Sequence, residues 1–307
     1  MRLHVIDIDG SVAQQEPLRR RIDVGAATRI DAADLAGRLR IVASHDAKAA
    51  LLARLADRDR AGDGPPVFFY GSGDFHHLTA ILLSRVEEAV TVVHFDNHPD
   101  WVRFPATVNC GAWVNRALEL PQVRKVVTIG PCSDDLVRPE WQFANLRAVA
   151  DGRITLYPWR HAPSRVWGRY GEAPGFRQDG SYLYWRNLAD EDWEEFLNEL
   201  VTAIPTSAIW LTIDKDVLGR ADACTNWDQG ELPFGHLLAA VEKLAGERRI
   251  LGVDVCGDWS APRFSDRFRA TLAFFDHPPR RQPTLHELAT NARVNASLID
   301  CFQRVLL

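Results

Sequence analysis

The sequence predicts an α/β protein in which a mainly parallel β-sheet is covered on both faces by helices. Short apolar runs rich in β-branched residues recur along the chain, and several are continuous rather than alternating, as expected for strands buried on both faces. Amphipathic stretches separate these runs, and strands that alternate with helices indicate a parallel sheet. A length of 307 residues suits one α/β domain, and no linker or internal repeat divides the chain. We therefore predict a single domain over residues 1–307.

The individual elements follow from these two patterns. Strands are predicted where β-branched and aromatic residues dominate a short run, at 3–9, 40–43, 67–70, 90–95, 125–129, 154–157, 208–213 and 250–255. Helices are predicted where apolar residues recur at helical spacing, at 47–56, 78–88, 112–120, 191–202 and 236–244. Region 284–306 predicts a last helix with a break near Asn291. Residues 158–188 show no clear period and are a candidate substrate lid, with surface decoration as the alternative.

Composition excludes several classes of protein. Hydrophobic residues make up 46% and charged residues 25%, the balance of a soluble globular protein. The formal net charge of −5 provides no basic field to hold nucleic acid. The five cysteines never form a C-x-x-C pair, which argues against a disulfide framework and a zinc ribbon. Asp7 and Asp9 lie where a signal peptide would be apolar, and no run could span a bilayer, so we expect a cytoplasmic protein without a membrane partner.

The most informative segment follows the predicted strand at 90–95. Asp96, His98 and Asp100 alternate directly after this apolar run. If the chain stays extended, alternate residues point the same way, so the three side chains converge at the carboxyl edge of the sheet, where α/β proteins place their ligands. The alternative is a solvated turn, but charges in water would not need an apolar strand leading into them.

Two further segments repeat this arrangement. Asp214 and Asp216 follow the apolar run at 208–213, and a glycine turn after the run at 67–70 leads to His76 and His77. Either histidine alone would more often cap a helix or pack in the core. Carboxylates and imidazoles together, with no cysteine among them, suit a pair of divalent ions such as Mn²⁺. Such a pair activates water for attack at neutral pH.

These three segments resemble the signatures of the ureohydrolase superfamily, which includes arginase and agmatinase. The family signatures read Gly-Gly-Asp-His-Ser, Asp-Ala-His-x-Asp and Ser-x-Asp-x-Asp, and the corresponding segments occur here in the same order. The first segment departs from the pattern, because Phe75 separates the Asp from the two histidines. The resemblance implies a three-layer α/β/α arginase-like fold with an eight-stranded, mainly parallel sheet, and two Mn²⁺ ions per chain.

The resemblance also implies roles for individual residues. The implied metal ligands are His76 and Asp100 at one ion, His98 and Asp216 at the other, and Asp96 and Asp214 bridging both. Alignment on the following helix favours His76 as the ligand, with His77 as the alternative. Asp100 would also hydrogen-bond the attacking hydroxide.

Departures from the family pattern concern the substrate. Cys110 precedes a glycine where arginases place a proton-shuttling histidine, so it is either a catalytic residue or a small buried residue at a helix start. Asp228 and Glu231 fall in the segment that corresponds to the family's substrate loop. The last strand lacks the family's guanidinium-contacting Glu, and Asp258, or alternatively Asp254, is expected to replace it.

The resemblance is strongest to the peptide-arginase branch, which converts arginine residues of ribosomally made precursor peptides to ornithine. The stretch 101–108 is short and mostly apolar, which suits a substrate whose α-groups are tied up in peptide bonds. Aromatic residues of the candidate lid either hold the peptide or are ordinary packing. They are Trp159, Trp167, Tyr170, Tyr182, Tyr184 and Trp185. We predict release of urea from peptidyl arginine, with a small guanidino substrate as the alternative and with homo-oligomerisation left open.

Two hypotheses from other classes compete with this one. Asp7 and Asp9, followed by Gly and Ser, resemble the opening motif of haloacid-dehalogenase-type phosphatases, in which the first Asp is the nucleophile. That class also needs a catalytic Lys and a later Asp pair, and Lys125 and the pair at 134–135 lie too close together and in the wrong order. The second hypothesis is an inactive scaffold, but buried carboxylates without a metal would repel one another.

Overall fold

The computed structural model describes residues 1–56, 64–104, 107–264, 267, 269–271 and 282–306. The strands are β1 (Arg2–Asp7), β2 (Thr28–Asp31), β3 (Pro66–Tyr70), β4 (Val90–Phe95), β5 (Val123–Ile129), β6 (Ile154–Tyr157), β7 (Ser164–Arg165), β8 (Glu172–Ala173), β9 (Phe176–Asp179), β10 (Tyr182–Trp185), β11 (Ala208–Asp214) and β12 (Arg249–Cys256). The helices are α1 (Glu16–Asp23), α2 (Ala36–Leu39), α3 (His45–Ala56), α4 (Leu78–Leu83), α5 (Trp113–Leu118), α6 (Leu146–Ala150), α7 (Trp193–Ala203), α8 (Phe234–Glu247) and α9 (Leu285–Val305). Among the residues described, no helix is both long and apolar enough to cross a membrane.

An eight-stranded sheet forms the centre of the protein, in the order β2-β1-β3-β12-β11-β4-β5-β6. Each neighbouring pair of strands is parallel. Strands β4 and β11 are buried along their whole length, as their continuous apolar runs predict. The predicted eight-stranded parallel sheet is confirmed.

Two apolar cores lie on opposite faces of this sheet. Residues of α3, α4, α5 and α6 pack in the first core, and residues of α1, α7, α8 and α9 pack in the second. Successive side chains of β4 alternate between them, with Val90 and Val92 in the first core and Val93 and Phe95 in the second. The predicted helices on both faces are therefore confirmed. The same alternation directs His94 towards the first core.

One predicted strand is wrong. Residues 40–43 are not a strand, because Ile41 has a left-handed φ of 64° and Val42 makes only an isolated bridge with Asn109. The second strand is Thr28–Asp31, at the edge of the sheet. Two of its four residues are charged, so it contains no apolar run by which it could be recognised.

The last helix is continuous, so the predicted break near Asn291 is also wrong. The side chain of Asn291 accepts a hydrogen bond from the backbone N–H of Cys224 at 2.9 Å and donates one to its carbonyl at 2.7 Å. These bonds satisfy the amide by a tertiary contact, so it does not compete with the backbone of α9.

The candidate lid at 158–188 contains a small antiparallel sheet in the order β7-β10-β9-β8. Phe176, Leu183 and Trp185 of this sheet belong to the first core. Its inner face is therefore packed against the domain, and its role as a lid remains a prediction.

A buried ion pair joins the segment after β11 to the segment after β12, and a hydrogen bond extends it to the last helix. The Lys215 ammonium donates to Asp258 Oδ2 at 2.6 Å and to Asn295 Oδ1 at 2.9 Å. Gln15 donates to the other oxygen of Asp258 at 2.6 Å. Because Lys215 and Asp258 are buried, each charge depends on the other for compensation.

Replacing Lys215 with Met should lower the free energy of unfolding by about 3–5 kcal/mol, because Asp258 would be left as an unpaired buried charge. The double variant Lys215→Met/Asp258→Leu should recover much of that loss. Chemical denaturation followed by circular dichroism measures both effects.

The control is Lys243→Met, which removes a surface pair with Glu247. It should cost less than about 1 kcal/mol. Equal losses for Lys215→Met and Lys243→Met would contradict the assignment of a buried, mutually dependent pair.

Candidate metal centre

Three strand ends meet at the carboxyl edge of the sheet and carry the predicted ligands. Strands β11 and β12 lie between β3 and β4, so the segments after β3, β4 and β11 surround one place. The glycine turn after β3 allows a close approach, because a Cβ atom on Gly73 would lie 2.6 Å from Asp214 Oδ2. A side chain at residue 73 would therefore displace the Asp214 carboxylate at the point where the first and third segments meet.

The first group of side chains surrounds His76. Its Nδ1 lies 2.9 Å from Asp96 Oδ2, 3.3 Å from Asp100 Oδ2 and 3.6 Å from Asp214 Oδ2. All four side chains are buried. Within the described part of the chain, His76 Nδ1 has no partner in hydrogen-bonding orientation. A buried imidazole nitrogen that faces three carboxylates without a hydrogen bond fits a metal ligand.

The second group adjoins the first through Asp96. His98 Nδ1 lies 3.0 Å from Asp216 Oδ2 and 3.5 Å from Asp96 Oδ1. Asp96 thus presents one oxygen to each imidazole, the arrangement that a shared carboxylate needs. Asp214 Oδ1 accepts the backbone N–H of Asp216 at 3.0 Å, which orients the third segment.

Asp100 reaches the site through a left-handed turn rather than an extended chain. Its φ is 49°, a conformation that costs a residue other than glycine on the order of 1–3 kcal/mol. Its Oδ2 accepts a hydrogen bond from Trp113 Nε1 at 2.6 Å. The predicted convergence of Asp96, His98 and Asp100 therefore occurs, but tertiary contacts produce it rather than simple alternation.

The two neighbouring histidines have different surroundings. The ring of His76 lies against the carboxylates, and its Nε2 is 2.9 Å from Thr212 Oγ1. His77 is buried apart from these groups, and burial, followed by the charge of His76, lowers its pKa to about 3. The arrangement favours His76 over His77 as a ligand.

The electrostatics of the site are those of crowded, buried carboxylates. Burial, followed by the charge of Asp96, raises the pKa of Asp100 to about 7. Burial and neighbouring carboxylates also raise the pKa values of Asp214 and Asp216. Burial opposes the protonation of His76, but the nearby carboxylates of Asp100 and Asp96 outweigh it and raise its pKa well above the usual value. Without a cation, the site therefore retains protons.

The donor set fits divalent metal ions. Groups of these side chains offer ligand atoms within 4.8 Å of one another, including His76 with Asp96 and Asp100, and Asp96 with His98 and Asp216. Imidazole nitrogens and carboxylate oxygens suit hard to borderline cations. Such cations would take the place of the retained protons.

A cavity of about 760 Å³ opens above these groups. Its wall adds three carboxylates, from Asp134, Asp135 and Asp228, to those of the candidate ligands. The apolar part of the wall includes Val102 and Phe104. The cavity is therefore suited to a cation with an apolar stem.

Comparison with known proteins shows the fold. No protein-family model matches the chain. An uncharacterized protein of Thermotoga maritima is 24% identical over 192 residues, which are 62% of this chain but only 58% of that protein. Arginase from Bacillus subtilis is 13% identical with a TM-score of 0.57, covering 98% of both chains. Formimidoylglutamase from the same species is 12% identical with a TM-score of 0.60, covering 97% of this chain and 86% of that one. The protein has the arginase-like α/β fold.

Proclavaminate amidino hydrolase from Streptomyces clavuligerus has the same fold, with 13% identity and a TM-score of 0.56 over 99% of this chain and 92% of that one. The three-layer arginase-like architecture predicted from the sequence is thus confirmed. The ligand roles of individual residues remain proposals.

Two of the other predicted site residues line the cavity of the arginase-like domain. Cys110 is buried in its wall, where it packs with Ile41 and Trp227. Asp228 is partly exposed, and its Oδ1 lies 3.1 Å from His98 Nε2. Asn97 donates to the other oxygen of Asp228 at 3.1 Å.

The remaining predicted substrate residues lie elsewhere. Glu231 is exposed and pairs with Arg160 at 3.4 Å. Asp258 is paired with Lys215 and does not line the cavity. The Asp258 carboxylate is therefore not available for the expected guanidinium contact. Asp254 accepts hydrogen bonds from Tyr70, Thr79, Trp210 and Thr212 beneath the site.

Asp7 and Asp9, the two carboxylates on which the phosphatase hypothesis depends, are both engaged in structural contacts. Asp7 pairs with Arg29, whose Nε lies 2.8 Å from Asp7 Oδ2. Asp9 accepts hydrogen bonds from Ser11 and from the backbone N–H of Ser72. Neither lines the cavity. The contact of Asp7 joins β1 to β2, and the contacts of Asp9 close the turns at the ends of β1 and β3.

The candidate lid also differs from expectation. None of its six predicted aromatic residues lines the cavity. Trp159 packs against Trp193, Trp185 is buried, and Tyr184 lies under Arg177. For these three, ordinary packing accounts for the aromatic ring.

Sequence reasoning missed His94, Trp113 and the cavity carboxylates Asp134 and Asp135. A signal existed for His94, because it precedes Asp96 by two residues and so continues the alternation. Its Nε2 lies 2.8 Å from Asp96 Oδ2. Within an apolar run, however, it could not be distinguished from a core histidine.

Replacing Asp216 with Asn should stabilise the metal-free protein and weaken metal binding. Burial, followed by the charges of Asp214 and Asp96, raises the pKa of Asp216 well above its usual range. An acid with a raised folded-state pKa destabilises the fold once the pH exceeds its unfolded pKa, so an amide removes a penalty present at pH 7. We expect the Tm without metal to rise by about 2 °C or more, corresponding to ~1 kcal/mol.

The increase in Tm on adding Mn²⁺ should become smaller in Asp216→Asn. The variant Asp179→Asn, at the exposed end of β9, is the matched control and should change neither Tm. A fall in the metal-free Tm of Asp216→Asn would show that the carboxylate is not under electrostatic strain.

Proposed function

We propose that the protein is a hydrolase that uses two divalent metal ions, Mn²⁺ by preference, to release urea from a guanidino group. The observation that carries this proposal is the meeting of two imidazoles and four buried carboxylates at the floor of one acidic cavity. The arginase-like fold supports it, because solved proteins with this fold include an arginase and an amidino hydrolase.

The proposed ligands have separate tasks. They are His76, Asp96, His98, Asp100, Asp214 and Asp216. Asp96 and Asp214 would be shared between the ions, and Asp100 would also orient the attacking water. Bound divalent ions supply water that is activated for attack at neutral pH.

Other residues of the cavity would bind the substrate. A guanidinium is a planar cation whose N–H groups pair with carboxylates. We assign its recognition to Asp228 and Asp135, which line the cavity beside the proposed ligands. Cys110 lies in the same wall and is proposed to pass a proton to the departing amine.

The cavity favours a substrate without a free α-carboxylate. Among the described residues that line it, none is an arginine or a lysine. An α-carboxylate would instead approach Asp134 and Asp135, which carry the same charge. Free arginine is therefore a poorer candidate than an arginine within a peptide or a decarboxylated guanidine.

An aromatic patch at the cavity mouth favours a peptide as the substrate. It consists of Phe104, Trp141, Phe143 and Trp167, each more than half exposed. The rings of Trp141 and Trp167 are 5.7 Å apart, and those of Phe104 and Phe143 are 5.6 Å apart. Phe104 also lines the cavity, so the patch begins where a substrate would leave it. Contiguous patches of exposed apolar side chains commonly mark interaction sites.

We therefore propose that the substrate is an arginine residue of a ribosomal precursor peptide, which becomes ornithine. The alternative is a small guanidine such as agmatine. It is favoured by the cavity volume of about 760 Å³, which lies within the usual range for small-molecule sites.

Urea release by Mn²⁺-loaded protein should be measured with an arginine-containing precursor peptide, a blocked arginine, agmatine and free arginine. We expect turnover of the peptide and the blocked arginine, and little turnover of free arginine, because only free arginine brings an α-carboxylate into the acidic cavity. Mass spectrometry of the peptide detects ornithine directly.

Asp96→Asn is the inactive control for this panel. Rapid turnover of agmatine or free arginine with an untouched peptide would contradict the peptide assignment. No urea from any substrate would contradict the proposed chemistry.

Replacing Trp141 with Ala should raise KM for the precursor peptide by about 5–10-fold, since truncating an interface aromatic typically costs ~1 kcal/mol or more. The kcat for the peptide and both constants for the blocked arginine should stay unchanged, because Trp141 lies outside the cavity wall. Steady-state kinetics separate these quantities.

Leu285→Ala is the matched control, since it truncates an exposed apolar residue at the start of α9. A Trp141→Ala variant with unchanged peptide KM would show that the patch does not contact the substrate.

A further inference from the structure

We propose that His94 is a positioning residue that holds Asp96 in the orientation needed to bind both metal ions. This inference rests on the proposed metal centre and goes beyond its ligands. It concerns a residue on β4 that the family signatures do not include and that lies two residues before Asp96.

His94 lies within hydrogen-bonding distance of two partners. Its Nε2 is 2.8 Å from Asp96 Oδ2, and its Nδ1 is 3.1 Å from Thr128 Oγ1 on the neighbouring strand β5. The ring is fully buried. It also packs edge-on against Trp113 and His76, with ring centroids 4.9 and 5.0 Å away.

The chemistry of the partners decides where the hydrogen atoms lie. An ionised Asp96 carboxylate can only accept hydrogen bonds, so the short contact requires a hydrogen on His94 Nε2. Nδ1 of a neutral ring is then an acceptor, and the hydroxyl of Thr128 donates to it. The order of donation is therefore from Thr128 to His94 to Asp96.

This chain of hydrogen bonds completes the orientation of the shared carboxylate. Asp96 Oδ1, which faces the His98 group, accepts the backbone N–H of His98 at 2.6 Å. Asp96 Oδ2, which faces the His76 group, accepts from His94. One bond on each oxygen fixes the plane of the carboxylate, so that each oxygen is directed to a different imidazole.

The ring contacts of His94 could be provided by any aromatic residue, but the donated hydrogen bond could not. Phe at position 94 would keep the ring between Trp113 and His76 and would lose only the polar bonds. Gln would keep an N–H donor and lose the ring. Val at position 128 would keep the shape of Thr128 and remove only the hydroxyl that fixes the tautomer of His94.

The test measures Mn²⁺ binding to the metal-free protein. Isothermal titration calorimetry gives the affinity and the number of ions, and electron paramagnetic resonance gives the spectrum of the bound ions. We expect the wild type to bind two ions and to give the spectrum of a coupled pair. His94→Phe should bind two ions with about 10–100-fold lower affinity, the usual cost of losing a hydrogen bond to a metal ligand. His94→Gln should recover part of the loss, and Thr128→Val should show a smaller one.

The metal-free Tm of each variant serves as the folding control and should stay close to that of the wild type. Unchanged Mn²⁺ affinity in His94→Phe would show that His94 only packs against its neighbours. Binding of one ion at saturating Mn²⁺ would make it a direct ligand, and either result overturns the proposal.

The same titration separates this inference from the proposed function. A wild type that binds no Mn²⁺ overturns both the metal centre and the role of His94. A wild type that binds two ions, with the expected order of variants but without urea release from any guanidine, supports the positioning role and contradicts only the proposed reaction.

Discussion

The burial of four carboxylates at one edge of the sheet imposes a constraint on the rest of the protein. Asp96, Asp100, Asp214 and Asp216 are each almost inaccessible to solvent. Burial and mutual repulsion raise the pKa values of the last three, so the folded chain keeps either protons or cations among them. Other fully buried carboxylates near such a site need cations of their own, since one more unpaired buried carboxylate would add to the same field.

The surrounding pairs follow from that requirement. Asp74 is paired with buried Arg40, and Asp258 with buried Lys215. Asp74 comes from a segment that also carries a proposed ligand, and Asp258 follows the neighbouring strand β12, yet each is paired with a buried cation. The four crowded carboxylates are therefore the place where additional positive charge is best accommodated, which is the electrostatic reason for expecting metal there and not beside Asp258.

Much of the fold and the position of the site could be predicted from the sequence. Continuous apolar runs identify buried parallel strands, and polar residues directly after them must meet at the carboxyl edge. The contribution of each loop side chain could not be predicted in the same way. Asp258 follows a strand as the proposed ligands do, but its partner Lys215 comes from a different segment, and no local pattern reveals that contact. The left-handed turn at Asp100 and the charged edge strand β2 likewise depend on tertiary contacts.

The proposed metal ligands and the proposed peptide-binding patch lie in separate parts of the chain. This separation explains how one fold can keep its chemistry while its substrate changes. The proposed ligands follow rigid strands, whereas the aromatic patch is built from loops. Glu140 joins two of these loops, because its carboxylate accepts the backbone N–H groups of Trp167 at 2.5 Å and Gly168 at 2.8 Å, and the Tyr170 hydroxyl at 2.5 Å. This carboxylate holds Trp167 beside Trp141 without a contact to any proposed ligand. The surface that would select a peptide can therefore be altered without disturbing the carboxylates that would hold the metal.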